Sequence, residues 1–342
     1  MNQNTSKTKV TSGKQETVLL IQSYYSLLVL NTRRIVLMGK TGAGKSNAGN
    51  TIFGETVFQI SDSPNSETSI CQAESRSVEG RSVTLVDTPG FCDIAKSEEQ
   101  LKPETVRCIT ECAPGPHAFL IVLKVEKFTH QEEEVITKIS EYFSAEAFRY
   151  AAVLFTHGDQ LREGMTIQEF VNQSERLNDL VKKCGGRCHV IDNKYWNNNQ
   201  QDNYRSNQFQ VAELLRTVDK IVEENNGGCY TNEMLQAVER EIQQEEESIM
   251  TSSGNTSRKE AREIAKTRVV KKFLIKFAGA ARAAAAAAAT GGAAAEGAVA
   301  AGVAVAAAAA EGADMMQLRG QKHQEGQQGR QLRLSGRKLK LA

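Results

Sequence analysis

No sign of charge dominates this chain of 342 residues: 42 Lys and Arg stand against 41 Asp and Glu, a net charge of +1. A balanced chain has no global basic field, so DNA binding is not expected. The cysteines do not make a metal set. There are seven, scattered and odd in number; Cys184 and Cys188 are separated by Gly-Gly-Arg, and no second pair completes a zinc site. Reduced thiols in the cytoplasm are the simplest expectation. A long run of strongly apolar residues is also missing. Val18 to Leu30 is apolar apart from Gln22, Ser23 and Ser26, and lysines precede it, as before the apolar core of a signal peptide. It is too short to span a bilayer, no small-residue cleavage site follows, and a packed helix or strand is expected. Ala278 to Ala310 is long enough to span, but it is Ala, Gly and Val with Arg282 and Glu296 inside. Alanine is borderline for insertion, so a soluble alanine helix is favoured, with helix packing or membrane contact as alternatives. What is present is ordinary for a soluble protein, 24% charged and 40% hydrophobic.

From about Arg33 to Gly228 short apolar runs alternate with helical patterns, which predicts an α/β fold with a central, mostly parallel sheet. Strands are expected at Arg34–Met38, Val83–Asp87, Ala118–Lys124, Ala151–Thr156 and Cys188–Ile191. Three of them run directly into polar residues, at Asp87, Thr156 and Ile191-Asp192-Asn193. Ligands of open α/β sheets bind at the carboxyl ends of strands, so these motifs converge on one edge. The expected organisation is an N-terminal extension over 1–32, polar up to residue 17, and an α/β domain over 33–229. A charged helical extension follows over 230–277, as two helices or one interrupted helix, either a coiled arm or packed on the domain. Last come the Ala/Gly-rich segment 278–310 and a basic tail over 311–342 carrying Arg319, Lys322, Arg330, Arg333, Arg337, Lys338 and Lys340. Such a tail can hold anionic lipid or RNA, or simply stay solvated.

Gly39-Lys40-Thr41-Gly42-Ala43-Gly44-Lys45-Ser46 satisfies the phosphate-loop pattern between a strand and a helix-forming stretch that opens with Asn47. Its glycines let backbone amides close around phosphate oxygens, and the helix N-terminus adds partial positive charge. Lys45 is expected to reach the β- and γ-phosphates and Ser46 to ligate Mg²⁺. Three further elements specify GTP. Asp87-Thr88-Pro89-Gly90 closes a strand, with Asp87 placed to hold Mg²⁺ through water and the Gly90 amide to meet the γ-phosphate. Thr68 is the best candidate to sense the γ-phosphate, the metal and the attacking water, with Thr56 and Ser61 competing. Thr156-His157-Gly158-Asp159 closes another strand, and the Asp159 carboxylate can accept from guanine N1 and N2, a donor pair that adenine lacks.

With these motifs in order, the chain resembles the immune-associated nucleotide-binding (GIMAP or IAN) GTPases. The carriers are Arg34 to Ser46, Gly49-Asn50-Thr51-Ile52-Phe53-Gly54, the box Ala113-Pro114-Gly115-Pro116-His117-Ala118, and Cys184 to Asn193. The resemblance runs from about Arg33 to Tyr230. It implies a Ras-like P-loop G domain with an added helix, GTP/GDP and Mg²⁺ as ligands, nucleotide-dependent dimerisation through the G domain, and membrane association through C-terminal segments. It places His157, Gly158 and Asp159 at the base with Asn193 beside them. The location implied is cytoplasmic or on the cytosolic face of an organelle membrane. Two residues depart from what hydrolysis needs. Phe91 stands where Ras-type enzymes carry a water-orienting glutamine, and a phenyl ring cannot position water. Glu126-Lys127-Phe128-Thr129 matches a segment in which some relatives supply an arginine across the dimer; Lys127 keeps the charge without the planar fork. Ile60 replaces a serine of that family, with Ser61 one step away. The reading is a GTP-dependent assembling switch with slow hydrolysis, in which Lys45, Thr68 and Lys127 are the catalytic candidates. A GTP-loaded membrane scaffold is the alternative, and an ATPase or small-molecule kinase a weaker one.

Overall fold

The computed structural model describes residues 32–60, 71–89, 98–197, 204–253 and 255–289, with backbone alone for 98–103 and 277–289. The chain divides into two compact units, one ending at Thr231 and the other beginning at Asn232. In the first unit the strands are β1 (Thr32–Met38), β2 (Gln72–Val78), β3 (Arg81–Asp87), β4 (Ala118–Lys124), β5 (Ala151–Thr156) and β6 (Cys188–Val190). Its helices are α1 (Lys45–Phe53), α2 (Glu98–Cys112), α3 (His130–Phe143), α4 (Ile167–Asn172), α5 (Glu175–Lys183) and α6 (Asn207–Glu224). The sheet order is β2-β3-β1-β4-β5-β6, and every pairing is parallel except that of β2 with β3. This is the expected α/β architecture with a mostly parallel sheet.

The central strands follow from their residues. β4 (Ala-Phe-Leu-Ile-Val-Leu-Lys) is buried over its first six residues and β5 throughout. Unbroken apolar runs suit strands covered on both faces. On α6, Val211, Leu214, Leu215, Val218, Ile221 and Val222 recur at helical spacing and are all buried. On α3, Val135, Ile139 and Phe143 do the same. Asp219 of α6 accepts from Arg33 Nε and Arg81 Nε, each at 2.8 Å, and so ties the helix to β1 and β3.

The sequence-based strand set needs one correction. β2 is absent from it, because Gln-Ala-Glu-Ser-Arg-Ser-Val carries polar residues on both faces of an edge strand that is half exposed along its length. Its pairing with β3 by an antiparallel turn at Glu79 and Gly80 defines it instead. The expected ends at β4 and β5 match; β1 and β3 start two residues earlier and β6 stops one residue sooner.

The box Ala113–Ala118 is a latch. His117 and Arg34 exchange bonds: the His117 amide donates to Arg34 O, and the Arg34 amide to His117 Nδ1, both at 2.8 Å. Arg34 Nε donates to Gly115 O at 2.9 Å. Burial, helped by Arg34 and Arg33, pushes His117 down to about 3, so its ring is neutral and Nδ1 remains an acceptor. The amide of Tyr230 donates to Pro116 O at 2.8 Å, and its hydroxyl to Phe143 O. Its ring packs edge-on against Phe119, Phe143 and Tyr150 with centroids 5.4, 6.0 and 5.7 Å away. The chain thus leaves the first unit clamped to the approach of β4, which is itself tied to the start of β1 at Arg34.

The second unit holds two helices, α7 (Glu233–Ser252) and α8 (Arg258–Ala289). They run antiparallel, joined by pairs of Glu239 and Glu246 with Arg262, Glu246 with Arg258, and Glu245 with Arg268. Ile242, Ile249, Ala261, Ala265, Val269 and Phe273 are buried. No described helix is long and apolar enough to cross a membrane. The apolar stretch Val18–Leu30, the rest of the Ala/Gly-rich segment after Ala289 and the basic tail lie outside the described residues.

Gly115 has φ +157°, and a Cβ there would lie 1.8 Å from Tyr230 O. Gly115→Ala therefore forces the latch apart and should lower stability by about 3 kcal/mol. Urea unfolding checks this; a variant within about 0.5 kcal/mol of wild type contradicts the latch.

Candidate functional site

The parallel pairing brings the carboxyl ends of β1, β3, β4 and β5 to one edge: Leu37 lies opposite Asp87, Met38 opposite Ile121 and Lys124 opposite Thr156. The loop Gly39–Gly44 leaves β1 at this edge and enters α1. Gly39 is buried, and a Cβ on it would lie 2.4 Å from Val122 O, so the loop can bend over β4 only without a side chain there. Thr41 and Gly42 form its turn, and the amide of Ala43 donates to Lys40 O at 3.2 Å. Thr156 Oγ1, fully buried, lies 2.8 Å from Ala43 O and anchors the loop to the end of β5. α1 begins after Gly44 with no side-chain cap, whereas Thr166, Ser174 and Asn232 accept from the first turns of α4, α5 and α7.

Lys45 is buried, and its ammonium donates to Gly39 O and Lys40 O, each at 3.0 Å. Ser46 Oγ donates to Asp87 Oδ2 at 2.5 Å. Asp87 is 1% exposed, and its Oδ1 is the one buried side-chain oxygen or nitrogen without a hydrogen-bond partner among the described residues. Burial raises its pKa, only partly offset by Ser46 and Lys45. Lys40 points elsewhere: its ammonium is 2.5 Å from Glu132 Oε1 and 3.1 Å from Glu126 Oε1.

At the far end, His157, Asp159 and Asn193 join Asn47 around a cavity of about 420 Å³. Asp192, Lys194 and Tyr195 complete its wall and were not among the sequence candidates. His157 takes a left-handed conformation, φ 61°, which turns the chain out of β5, and the Gly158 amide donates to Ile191 O at 3.0 Å. Asn193 Oδ1 accepts from Thr51 Oγ1 of α1 at 3.2 Å. The only tryptophan of the chain, Trp196, stands against Gly158: a Cβ on the glycine would lie 2.6 Å from its ring.

Asp192 holds this end together. Its Oδ1 accepts from the amides of Lys194 (2.9 Å) and Tyr195, and its Oδ2 from the amide of Asp159 (3.2 Å). Asn207 of α6 brackets its backbone: Asp192 N donates to Asn207 Oδ1 at 3.0 Å, and Asn207 Nδ2 to Asp192 O at 2.6 Å. Burial opposes the charge on Asp192, but the Tyr195 amide, the Asp159 side chain and further amides outweigh it and hold its pKa below the usual value. Asp159 is shifted the other way, raised by desolvation and by the neighbouring Asp192. The sequence signal for Asp192 was its position at a strand end; nothing in residue type separates a loop-gathering aspartate from an ordinary one.

Lys127 is exposed on the loop between β4 and α3, away from that cavity's lining. Ser61, Thr68, Gly90 and Phe91 lie outside the described residues.

The AIG1 family model matches residues 33–249. Immune-associated nucleotide-binding protein 8 of Arabidopsis thaliana is 32% identical over 229 residues, 65% of this chain and 63% of that protein. GTPase IMAP family member 8 of Homo sapiens is 34% identical over 200 residues, 58% of this chain and 29% of that protein. The matches thus span less than two thirds of either relative's length. Among solved structures, that of Toc33 from Arabidopsis thaliana in complex with GDP and Mg²⁺ is similar at 17% identity and a TM-score of 0.46, over 62% of this chain and 93% of that one.

Replacing Asp192 by Ala leaves the amides of Asp159, Lys194 and Tyr195 without their acceptor, at a cost of about 3 kcal/mol. A carboxylate with a depressed pKa contributes stability above the unfolded value of 3.8, and that contribution is lost as pH falls through the folded value. Asp192→Ala should therefore flatten the acid limb of stability. Urea unfolding at neutral pH and in acid measures both effects; unchanged stability with an unchanged acid limb refutes the role.

Proposed function

This chain belongs to the AIG1 family, and from that premise we propose that it binds GTP and GDP with Mg²⁺, self-associates in the GTP form and hydrolyses GTP slowly. The observation that carries the nucleotide reading is the meeting of Ser46 and Asp87 beneath the loop Gly39–Gly44, with Asp87 Oδ1 buried and unpartnered. A buried carboxylate oxygen with no donor is costly unless a cation meets it. A hydroxyl and a carboxylate are oxygen donors of the kind that hard divalent cations take, so the residues fit Mg²⁺. When bound, Mg²⁺ would supply charge stabilisation at the β- and γ-phosphate oxygens.

The chain's own groups account for the rest. The uncapped first turn of α1 offers amides and the positive end of a helix dipole to a phosphate. The Lys45 ammonium sits on the loop carbonyls Gly39 O and Lys40 O, within the loop that would cradle the phosphates. Asp159 reads the purine edge as an acceptor, with His157, Asn193 and Asn47 around it. Because desolvation and the neighbouring Asp192 raise the pKa of Asp159, guanine affinity should begin to fall at a higher pH than for an isolated aspartate.

The slow rate rests on Phe91 at the water-orienting position and on Lys127 in place of an arginine. The same two residues favour a second reading, a GTP-loaded scaffold without useful hydrolysis. Self-association through the G domain, with Thr68 and Gly90 meeting the γ-phosphate, is proposed from the family resemblance. So are attachment of the basic tail to a membrane surface and a cytoplasmic or organelle-surface location.

Asp159→Asn should turn base preference from guanine to xanthine by at least about tenfold, read by displacement of a fluorescent GDP analogue. Unchanged preference removes Asp159 from base reading. Asp87→Ala should abolish the Mg²⁺ dependence of GDP affinity; a retained dependence refutes the metal assignment. Size-exclusion chromatography with GDP against a non-hydrolysable GTP analogue tests the switch: a dimer with the analogue alone supports it. Phosphate release at saturating protein separates the slow GTPase from the scaffold.

A further inference from the structure

Glu132 is an unusual carboxylate for a surface helix. It sits in the first turn of α3, is 4% exposed, and has three polar partners. Its Oε2 accepts from the amide and the hydroxyl of Thr129, at 2.8 and 2.5 Å, which closes the capping box of α3. Its Oε1 lies 2.5 Å from the ammonium of Lys40. Glu126, in the loop before α3, takes Lys40 from a second side at 3.1 Å. Burial opposes the charge on Glu132, but Lys40 and the Thr129 donors outweigh it and lower its pKa. Burial likewise opposes the charge on Lys40, and the two glutamates more than restore it.

One lysine of the phosphate loop is thus held by Glu126 in the loop that follows β4 and by Glu132 in the first turn of the helix beyond it. Lys127 and Phe128 stand between Glu126 and Thr129, the residue before that helix. The backbone of Lys40 belongs to the loop Gly39–Gly44, while its ammonium is committed to two carboxylates. Resting on the nucleotide reading above, we propose that Lys40, Glu126 and Glu132 form a clamp that couples the phosphate loop to the loop 126–129. Lys40 and Glu132 are its positioning residues. The clamp holds the phosphate loop in its ligand-ready shape and holds Lys127 at a defined place on the surface, so that loosening one loop loosens the other.

The physical case rests on burial and on shared atoms. A paired charge this shielded is strongly destabilised when its partner alone is removed. Glu132 cannot release Lys40 without leaving a buried carboxylate oxygen uncompensated, and Lys40 cannot leave without that consequence in the capping box. The two loops therefore move together or not at all.

The test uses the full chain. Glu132→Gln removes the charge but keeps an oxygen that can close the capping box, which accepts Glu or Gln at this position. Lys40→Met removes the ammonium and keeps the stem. Amide hydrogen exchange over residues 126–130 should rise at least about fivefold in Lys40→Met, although the change lies in the other loop. Each single variant should speed dissociation of a fluorescent GDP analogue about tenfold, the double variant no more than either single one, and Lys40→Arg should restore most of the wild-type rate. Exchange unchanged over 126–130, or a double effect equal to the product of the single effects, overturns the clamp. The exchange measurement needs no nucleotide. If wild type bound no GDP, the nucleotide reading would fall while the exchange result still decided whether the loops are coupled.

Discussion

Parallel pairing of three buried strands is the constraint on which the site depends. β1 pairs with β3 on one side and β4 on the other, and their registers set Leu37 against Asp87 and Met38 against Ile121. A one-residue slip would turn each strand's side chains to the opposite face. Ile35, Leu37, Val83, Leu85, Leu120 and Val122, all with essentially no exposure, forbid that slip. Since all these strands run the same way, their carboxyl ends and the polar residues that follow them must lie along one edge. Ser46 meets Asp87, and Thr156 meets Ala43, because the apolar residues behind them leave no other alignment. The chemistry of the edge is a consequence of core packing several residues away.

The fold was legible where burial writes a simple pattern. β4 and β5 are apolar runs bounded by polar residues, and their ends read correctly from sequence. β2 was not legible, because an edge strand with polar side chains on both faces carries no period; antiparallel pairing with β3 makes it a strand. At the site, residue order sufficed to put the loop Gly39–Gly44, Asp87 and the loop His157–Asp159 at the carboxyl ends of β1, β3 and β5, where the structure has them. Side-chain direction was not legible. Lys40 and Lys45 stand five positions apart in one motif; one turns back to the loop carbonyls and the other out to Glu126 and Glu132. That difference is set by acidic residues about ninety positions downstream, which local spacing does not encode. Asp192 shows the same limit, since its role is defined by amides from two loops and by Asn207 on α6.

The two ends of the site are built on opposite electrostatic plans, and that opposition gives it a direction. At the α1 end the donors are backbone amides and a buried ammonium, and the nearby carboxylates are spoken for: Glu126 and Glu132 by Lys40, Asp87 in part by Ser46. Net attraction there is for an anion. At the cavity end Asp159 and Asp192 lie close enough to shift each other's titration in opposite directions. Three amides satisfy Asp192, whereas the Asp159 carboxylate accepts from Gln160 Nε2 at 2.9 Å and keeps capacity for further donors. A ligand that is anionic at one end and rich in N–H groups at the other relieves both demands in one orientation and aggravates both in the reverse. Adenine presents a ring acceptor where guanine presents N–H, and so it would leave Asp159 facing a lone pair beside a second carboxylate. On the guanine reading proposed above, discrimination would arise less from attraction to the right base than from the cost of the wrong one, and the neighbouring Asp192 carboxylate would add to that cost.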